Sequence, residues 1–106
     1  LEPTDYNAYI AYYGSKTALL DATGKSQTAL ELCSMKIGEI GDTYVRGASG
    51  LKSKLYILQS RAYAAEGKFH EAEQILNKGL MFCRKHKLGQ HEFGTLLELA
   101  VLYSLQ

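Results

Sequence analysis

The stretch "MFCRKHKLGQH", residues 81–91, gathers the side chains of this sequence with the most capacity for chemistry. Cys83, His86 and His91 fall within nine residues and are flanked by Arg84, Lys85 and Lys87. On a helix, Cys83 and His86 are three apart and share a face. With His91 beyond a turn, they could offer three ligands of the kinds zinc accepts. The supply ends there. His70 lies thirteen residues before Cys83, roughly 20 Å along a helix axis, and Cys33 belongs to a different part of the chain. Such a site would need a partner or water to complete it.

A structural reading competes and is the stronger. Ala72, Leu76, Gly79, Leu80 and Cys83 fall on one helical face, and a cysteine in an apolar row is a small buried hydrophobe more often than a ligand. Arg84, Lys85 and Lys87 sit in the last turn of that helix, where cations complement the negative end of the dipole. A local contact with a phosphate or an acidic peptide stays open beside that explanation. "FHEAE" at 69–73 lacks the second histidine of a zinc-protease helix, because position 74 is Gln. No Ser, His and Asp set, phosphate loop after a strand or pair of buried carboxylates can be found. The expectation is a protein that is not an enzyme, with no metal and no cofactor.

The totals bound the rest. The 106 residues are 46% hydrophobic and 22% charged, which fits one ordinary globular domain spanning 1–106. A net charge of +1 lacks the electrostatic footprint of a nucleic-acid binder. The apolar runs fall short of the ~20 residues of a membrane span. Two cysteines fifty residues apart, with no signal-like start, suit a reduced intracellular compartment, cytoplasmic or nuclear. The chain opens without Met and ends on the apolar "LLELAVLYSLQ", which reads as a piece of something longer.

The elements that must position these residues are helices. Apolar residues recur three and four apart and strict alternation is rare, so the fold class expected is all-α, with five helices. They run roughly 5–22 with Thr4 or Asp5 as cap, 26–45, 51–66, 69–87 and 91–106. A repeat is hidden in them. "ATGKSQTALELC" slides onto "AEGKFHEAEQIL" at an offset of 43, aligning Gly24 with Gly67, Ala29 with Ala72 and Cys33 with Leu76. The same offset brings Tyr13, Thr17 and Leu20 onto Tyr56, Ser60 and Tyr63, and a further 40 brings these onto Leu96, Ala100 and Tyr103. A large, small, large trio recurs three times, as interlocking antiparallel helices require.

On these residues the sequence resembles the tetratricopeptide repeat family, in its extended-helix form. The best copy is "LYILQSRAYAAEGKFHEAEQILNKGLMF", with Tyr56, Ser60, Tyr63, Gly67, Phe69, Ala72, Leu76, Gly79 and Leu80 in signature places. Gln59 and Lys16 depart from it where the family prefers Leu, and Lys36 where a small residue is usual; the spacing also exceeds the family's ~34 residues. The resemblance implies antiparallel hairpins stacked as a short right-handed superhelix, with units at about 5–45 and 51–88 and the first helix of a third at 91–106. It implies a non-enzymatic protein–protein interaction or scaffold module. Transferred groove positions are Lys54, Ile57 and Arg61 in the second unit and Leu97 and Val101 in the third. Lys54 and Arg61 would suit an acidic or extended peptide. Gly14, Ala18 and Glu98 stand where the chaperone-tail branch carries its carboxylate clamp, so no binding to chaperone tails is implied.

The last helix is apolar on nearly every side, whereas a terminal helix of such an array needs a polar outer face. Leu99, Leu102 and Leu105 are therefore expected to meet a partner, a second copy, or a further helix of the parent chain. Tyr6, Tyr9, Tyr12 and Tyr44 are candidate binding anchors. The alternative to an interaction module is a purely architectural segment of a longer superhelix, and a third reading is the metal site at Cys83, His86 and His91.

Overall fold

The three-and-four spacing of apolar residues resolves into five helices: α1 (Tyr6–Ala22), α2 (Ser26–Ile40), α3 (Ala48–Ala65), α4 (Phe69–Lys85) and α5 (Gly89–Ser104). The computed structural model describes residues 5–41 and 46–105, and no strand occurs among them. The protein is all-α. Asp5 starts α1 by accepting a hydrogen bond from the Ala8 amide at 3.1 Å, which satisfies one of the orphan donors of a helix N-terminus; Thr4 lies outside the described residues.

Three connections close in the same way. The amides of Lys25, Lys68 and Leu88 reach back to the carbonyls of Leu20, Tyr63 and Cys83, at 2.7, 2.9 and 2.8 Å. The preceding amides, of Gly24, Gly67 and Lys87, bond Asp21, Ala64 and Arg84. This double closure is the Schellman motif, and it places one residue in left-handed backbone. Gly24 and Gly67 take that conformation at φ 77° and 75°, and Lys87 takes it at φ 56°. Each link has three residues, so the joined helices run antiparallel. Three expected boundaries shift. Gly89 begins α5 and does not break the chain, because Lys87 already makes the turn. Likewise α3 starts at Ala48, ahead of Gly50, and α2 ends at Ile40, where Gly41 turns at φ 76°.

Helix α3 touches all four others. Leu51, Leu55 and Leu58 pack with Cys33 of α2, and Ala62 packs with Leu20 of α1 and Ala29 and Leu30 of α2. Ile57 joins Leu76 and Leu80 of α4 and Leu99 and Leu102 of α5. A helix enclosed this way buries polar groups too, and each needs a partner. Gln59 donates to Ser34 Oγ at 2.8 Å, Ser60 Oγ donates to the Ile57 carbonyl at 2.6 Å, and Ser53 Oγ lies 3.2 Å from Cys83 Sγ. Lys52, only 1% exposed, donates to the Gly41 carbonyl and holds its ammonium 4.7 Å from the Phe82 ring centre. It ties the end of α2 to α3 and α4.

The expected repeat of large, small and large residues is carried by packing only in part, since Tyr56 and Ser60 are buried whereas the later trio of Leu96, Ala100 and Tyr103 is exposed. Tyr56 of α3 lies so close to Gly79 of α4 that a Cβ on Gly79 would sit 3.0 Å from Tyr56 Cβ. Forty residues on, α5 turns Thr95, Leu99 and Leu102 inward, the positions that correspond to Leu55, Gln59 and Ala62 of α3, and all six are buried.

Candidate interaction groove

An open groove of about 390 Å³ runs between α3 and α5, with Asp21 of α1 at one end. Its walls are Ser60, Arg61, Ala64 and Ala65 of α3 and Glu98, Val101, Leu102 and Leu105 of α5. The helical period explains the set, since Ala64 and Ala65 follow Arg61 by three and four, and Val101 and Leu105 follow Glu98 by three and seven, so each group shares one side of its helix. Two alanines leave room between the helices. Val101 and Leu105 supply exposed apolar surface.

One ion pair crosses the groove. Arg61 Nε and Nη2 donate to Glu98 Oε1 and Oε2 at 2.8 and 3.1 Å, a two-pronged fit of guanidinium to carboxylate. The Glu98 carboxylate pushes the Arg61 pKa further up against an opposing effect of burial, so Arg61 is charged and already matched. Lys54 sits apart from this pair. It lines a smaller cavity of about 230 Å³ with Ile10, Ser53, Ile57, His91 and others. Burial pushes the Lys54 pKa down, the Arg61 charge lowers it further, and Glu98 partly offsets both.

The groove residues expected from sequence are thus divided. Arg61 and Val101 meet in the groove, Lys54 lies in the neighbouring cavity, and Ile57 is core that also floors that cavity. Leu97 is exposed and lines neither. The last helix needs a correction: Leu99 and Leu102, expected on its open side, are 7% and 4% exposed and pack on Ile57, Leu76 and Leu80. Leu105 does stand open, at the groove. A helix apolar all round carries no periodicity to say which side faces in, so its sequence could not make this distinction. Glu98 as the partner of Arg61 left no local signal either, since the two are 37 apart.

The cluster around Cys83 comes apart. Cys83 is fully buried beside Ser53, His86 packs its ring edge-on to Phe82 at 4.7 Å, and His91 lies over Gly50 of α3. Among the described residues, no three His, Cys, Asp or Glu side chains come together as a metal site. Arg84 reaches across the turn to Glu92 at 3.5 Å, and Lys85 and Lys87 are exposed. Burial pushes the Cys33 thiol up to about 12, with the Asp21 charge adding to the effect. That holds it protonated and unreactive at neutral pH. Of the candidate tyrosine anchors, Tyr6 and Tyr9 pack partly buried on the α2–α3 core and Tyr12 is half exposed; Tyr44 lies outside the described residues. Among those residues no helix is long and apolar enough to cross a membrane. Comparison with protein-family models, curated proteins and solved structures finds no match to this chain.

Proposed function

We propose that this chain is a non-enzymatic protein-interaction module of the tetratricopeptide type, its hairpins stacked in a short right-handed superhelix and serving as a scaffold or adaptor segment inside the cell. The observation that carries the reading is the groove between α3 and α5, walled by Ala64, Ala65, Val101 and Leu105. Small and branched residues around an open trough suit the apolar side chains of an extended peptide or one face of a helix. Arg61 adds selectivity. Because its guanidinium is already paired, a ligand carboxylate gains only by exchanging with Glu98, so an acidic residue beside an apolar anchor fits better than an acidic stretch.

A displayed random-peptide library panned on the protein tests this reading. Binders that perturb the amide resonances of Ala65, Val101 and Leu105, and that lose roughly tenfold or more in affinity to Ala65→Arg, support it. Peptides that bind equally well to Ala65→Arg and Arg61→Glu would remove its main support.

The architectural reading has an observation of its own. Arg61 with Glu98, and Ile57 with Leu99, join α3 to α5, so these residues serve the stacking of helices whether or not a ligand exists. Under that reading panning enriches no groove binder, and Leu99→Ala weakens the fold.

A further inference from the structure

The side of α5 that flanks its packed face has a counterpart elsewhere in the chain that is covered. In α3, Ser53, Tyr56 and Tyr63 are among the residues that α4 lies against, with Ser60 in the same helical row: Ser53 meets Cys83, Tyr56 meets Gly79 and Phe82, and Tyr63 packs on the cluster holding Ala72 and Leu76. Forty residues later the same positions of α5 are Phe93, Leu96, Ala100 and Tyr103. They carry no charge, and the three large ones are 63%, 41% and 54% exposed. Inward, the two helices use matching positions. Outward, α3 is covered and α5 is bare.

Area and charge say what kind of cover fits. Phe93 and Tyr103 each leave on the order of 100 Å² of ring open, and with Leu96 and Leu97 the apolar face reaches roughly 300–400 Å², large enough to mark an interaction site. One helix lying along α5 asks for no more than such a strip. The rim has a charge at the point where that helix would begin. Lys68, at the N-cap of α4, lies beside Leu30 and Glu31 of α2. Shifted by 43, the place of Leu30 is held by Glu73, whose carboxylate acts on the Tyr103 hydroxyl of α5 and raises its pKa. A cation starting the incoming helix would meet it.

We propose that this face of α5 docks an amphipathic helix from a partner protein, antiparallel to α5, with the chemistry of α4. That helix starts at a lysine or arginine, which faces Glu73. It then carries alanine four positions on, a large aliphatic residue after four more, and a glycine or alanine three beyond, against Leu96. The surface lies outside the α3–α5 groove, so it stands or falls separately from peptide binding there.

A synthetic peptide of residues 68–85 of this chain is the probe, and its binding to the full chain is read by fluorescence anisotropy and amide shifts. Binding that maps to Phe93, Leu96 and Tyr103 is expected. Leu96→Arg and Ala100→Arg, both on exposed positions, should each weaken it at least about tenfold while leaving the helical circular dichroism of the chain unchanged. A peptide with Gly79→Leu should weaken by a similar factor. Lys68→Glu should weaken it less, roughly twofold to fivefold, and the difference should shrink in salt. Three results overturn the proposal: no binding at millimolar peptide, binding indifferent to Leu96→Arg, or a concentration-dependent dimer that Leu96→Arg dissociates. The last would make the face an interface between copies.

Discussion

The same substitution, Gly→Ala, should have opposite effects at two positions of this protein. Gly14 lies in the middle of α1, and a Cβ added there meets no atom within 4 Å. Alanine in a helix interior is favoured over glycine by about 0.8–1 kcal/mol, so Gly14→Ala should stabilise by about that amount. Gly79 is also inside a helix and has the same propensity to gain. Its added Cβ, however, would lie 3.0 Å from Tyr56 Cβ and 3.3 Å from the ring's Cγ and Cδ2, where carbon atoms prefer about 3.5–4.0 Å. The Tyr56 Cβ is fixed to the α3 backbone and cannot swing away. Relief must come from moving α4 off α3 by roughly half an ångström, which loosens Ala72, Leu76, Leu80 and Cys83 together. Overpacking of this kind costs about 1–3 kcal/mol. Set against the propensity gain, Gly79→Ala should be neutral to about 2 kcal/mol destabilising, and the two variants should differ by about 1–3 kcal/mol. At about 4 °C per kcal/mol for a chain of this size, their melting temperatures should stand roughly 4–12 °C apart, read by circular dichroism and checked by urea titration. If Gly79→Ala melts as high as Gly14→Ala, the close approach of α3 and α4 at Tyr56 is wrong, and so is the requirement for a small residue there.

The last helix can be tested by truncation: Leu99→Ala and Leu102→Ala should each cost about 2–5 kcal/mol, whereas Leu97→Ala should stay within about 0.5 kcal/mol, and equal urea midpoints for all three would refute the assignment of inner and outer faces. Lys87 occupies left-handed backbone at a cost of about 1–2 kcal/mol for a residue with a side chain. Glycine relieves that but gives back part through its freer unfolded chain, so Lys87→Gly should stabilise by about 0.5–1 kcal/mol, and a lower melting temperature would contradict the turn. At Asp21, burial raises the carboxyl pKa from its ordinary 3.8, Ser26 lowers it by a hydrogen bond, and Glu66 raises it. The folded state therefore binds this proton more tightly than the unfolded one, and the contribution of Asp21 to stability falls as pH rises through that window. Asp21→Asn should match the parent at about pH 3 and exceed it at neutral pH, and a gap that opens toward low pH would refute the sign. Cys33 and Cys83, both fully buried, should react with a thiol reagent at neutral pH only at the rate of opening; rapid labelling of either in the native protein would place it at the surface.

The helices were legible because the apolar period is regular and glycine stands close to their ends. What misled was glycine inside helices: Gly50 and Gly89 look like breakers, yet each lies in the first turn of its helix, where little intrahelical bonding is at stake. The turn before α5 was hidden for the opposite reason, since a lysine takes the left-handed position that glycine takes twice elsewhere. Burial of α3 was the hardest to foresee. Lys52, Ser49, Ser53 and Gln59 are polar, and enclosure by four neighbours makes them interior. The groove was half legible: positions transferred through the family resemblance included Arg61 and Val101, which meet there, but nothing local could say that Glu98 would already hold the guanidinium.

If the groove serves the proposed interaction role, that pairing changes what it can select. A free arginine on a small-residue stripe would attract any carboxylate, and binding would weaken steadily with salt. An arginine held by two hydrogen bonds to Glu98 offers a ligand carboxylate no net charge to neutralise, and accepting it exposes Glu98 to its own repulsion from the newcomer. Affinity must then come from apolar contacts with Ala64, Ala65, Val101 and Leu105, and the ion pair acts as a filter against ligands that bring only charge. The same pair, bridging α3 and α5, keeps the groove walls at a fixed separation before any ligand arrives, so less ordering remains to be done on binding. Removing Glu98 would therefore broaden the range of acidic peptides accepted while loosening the walls that recognise their apolar neighbours.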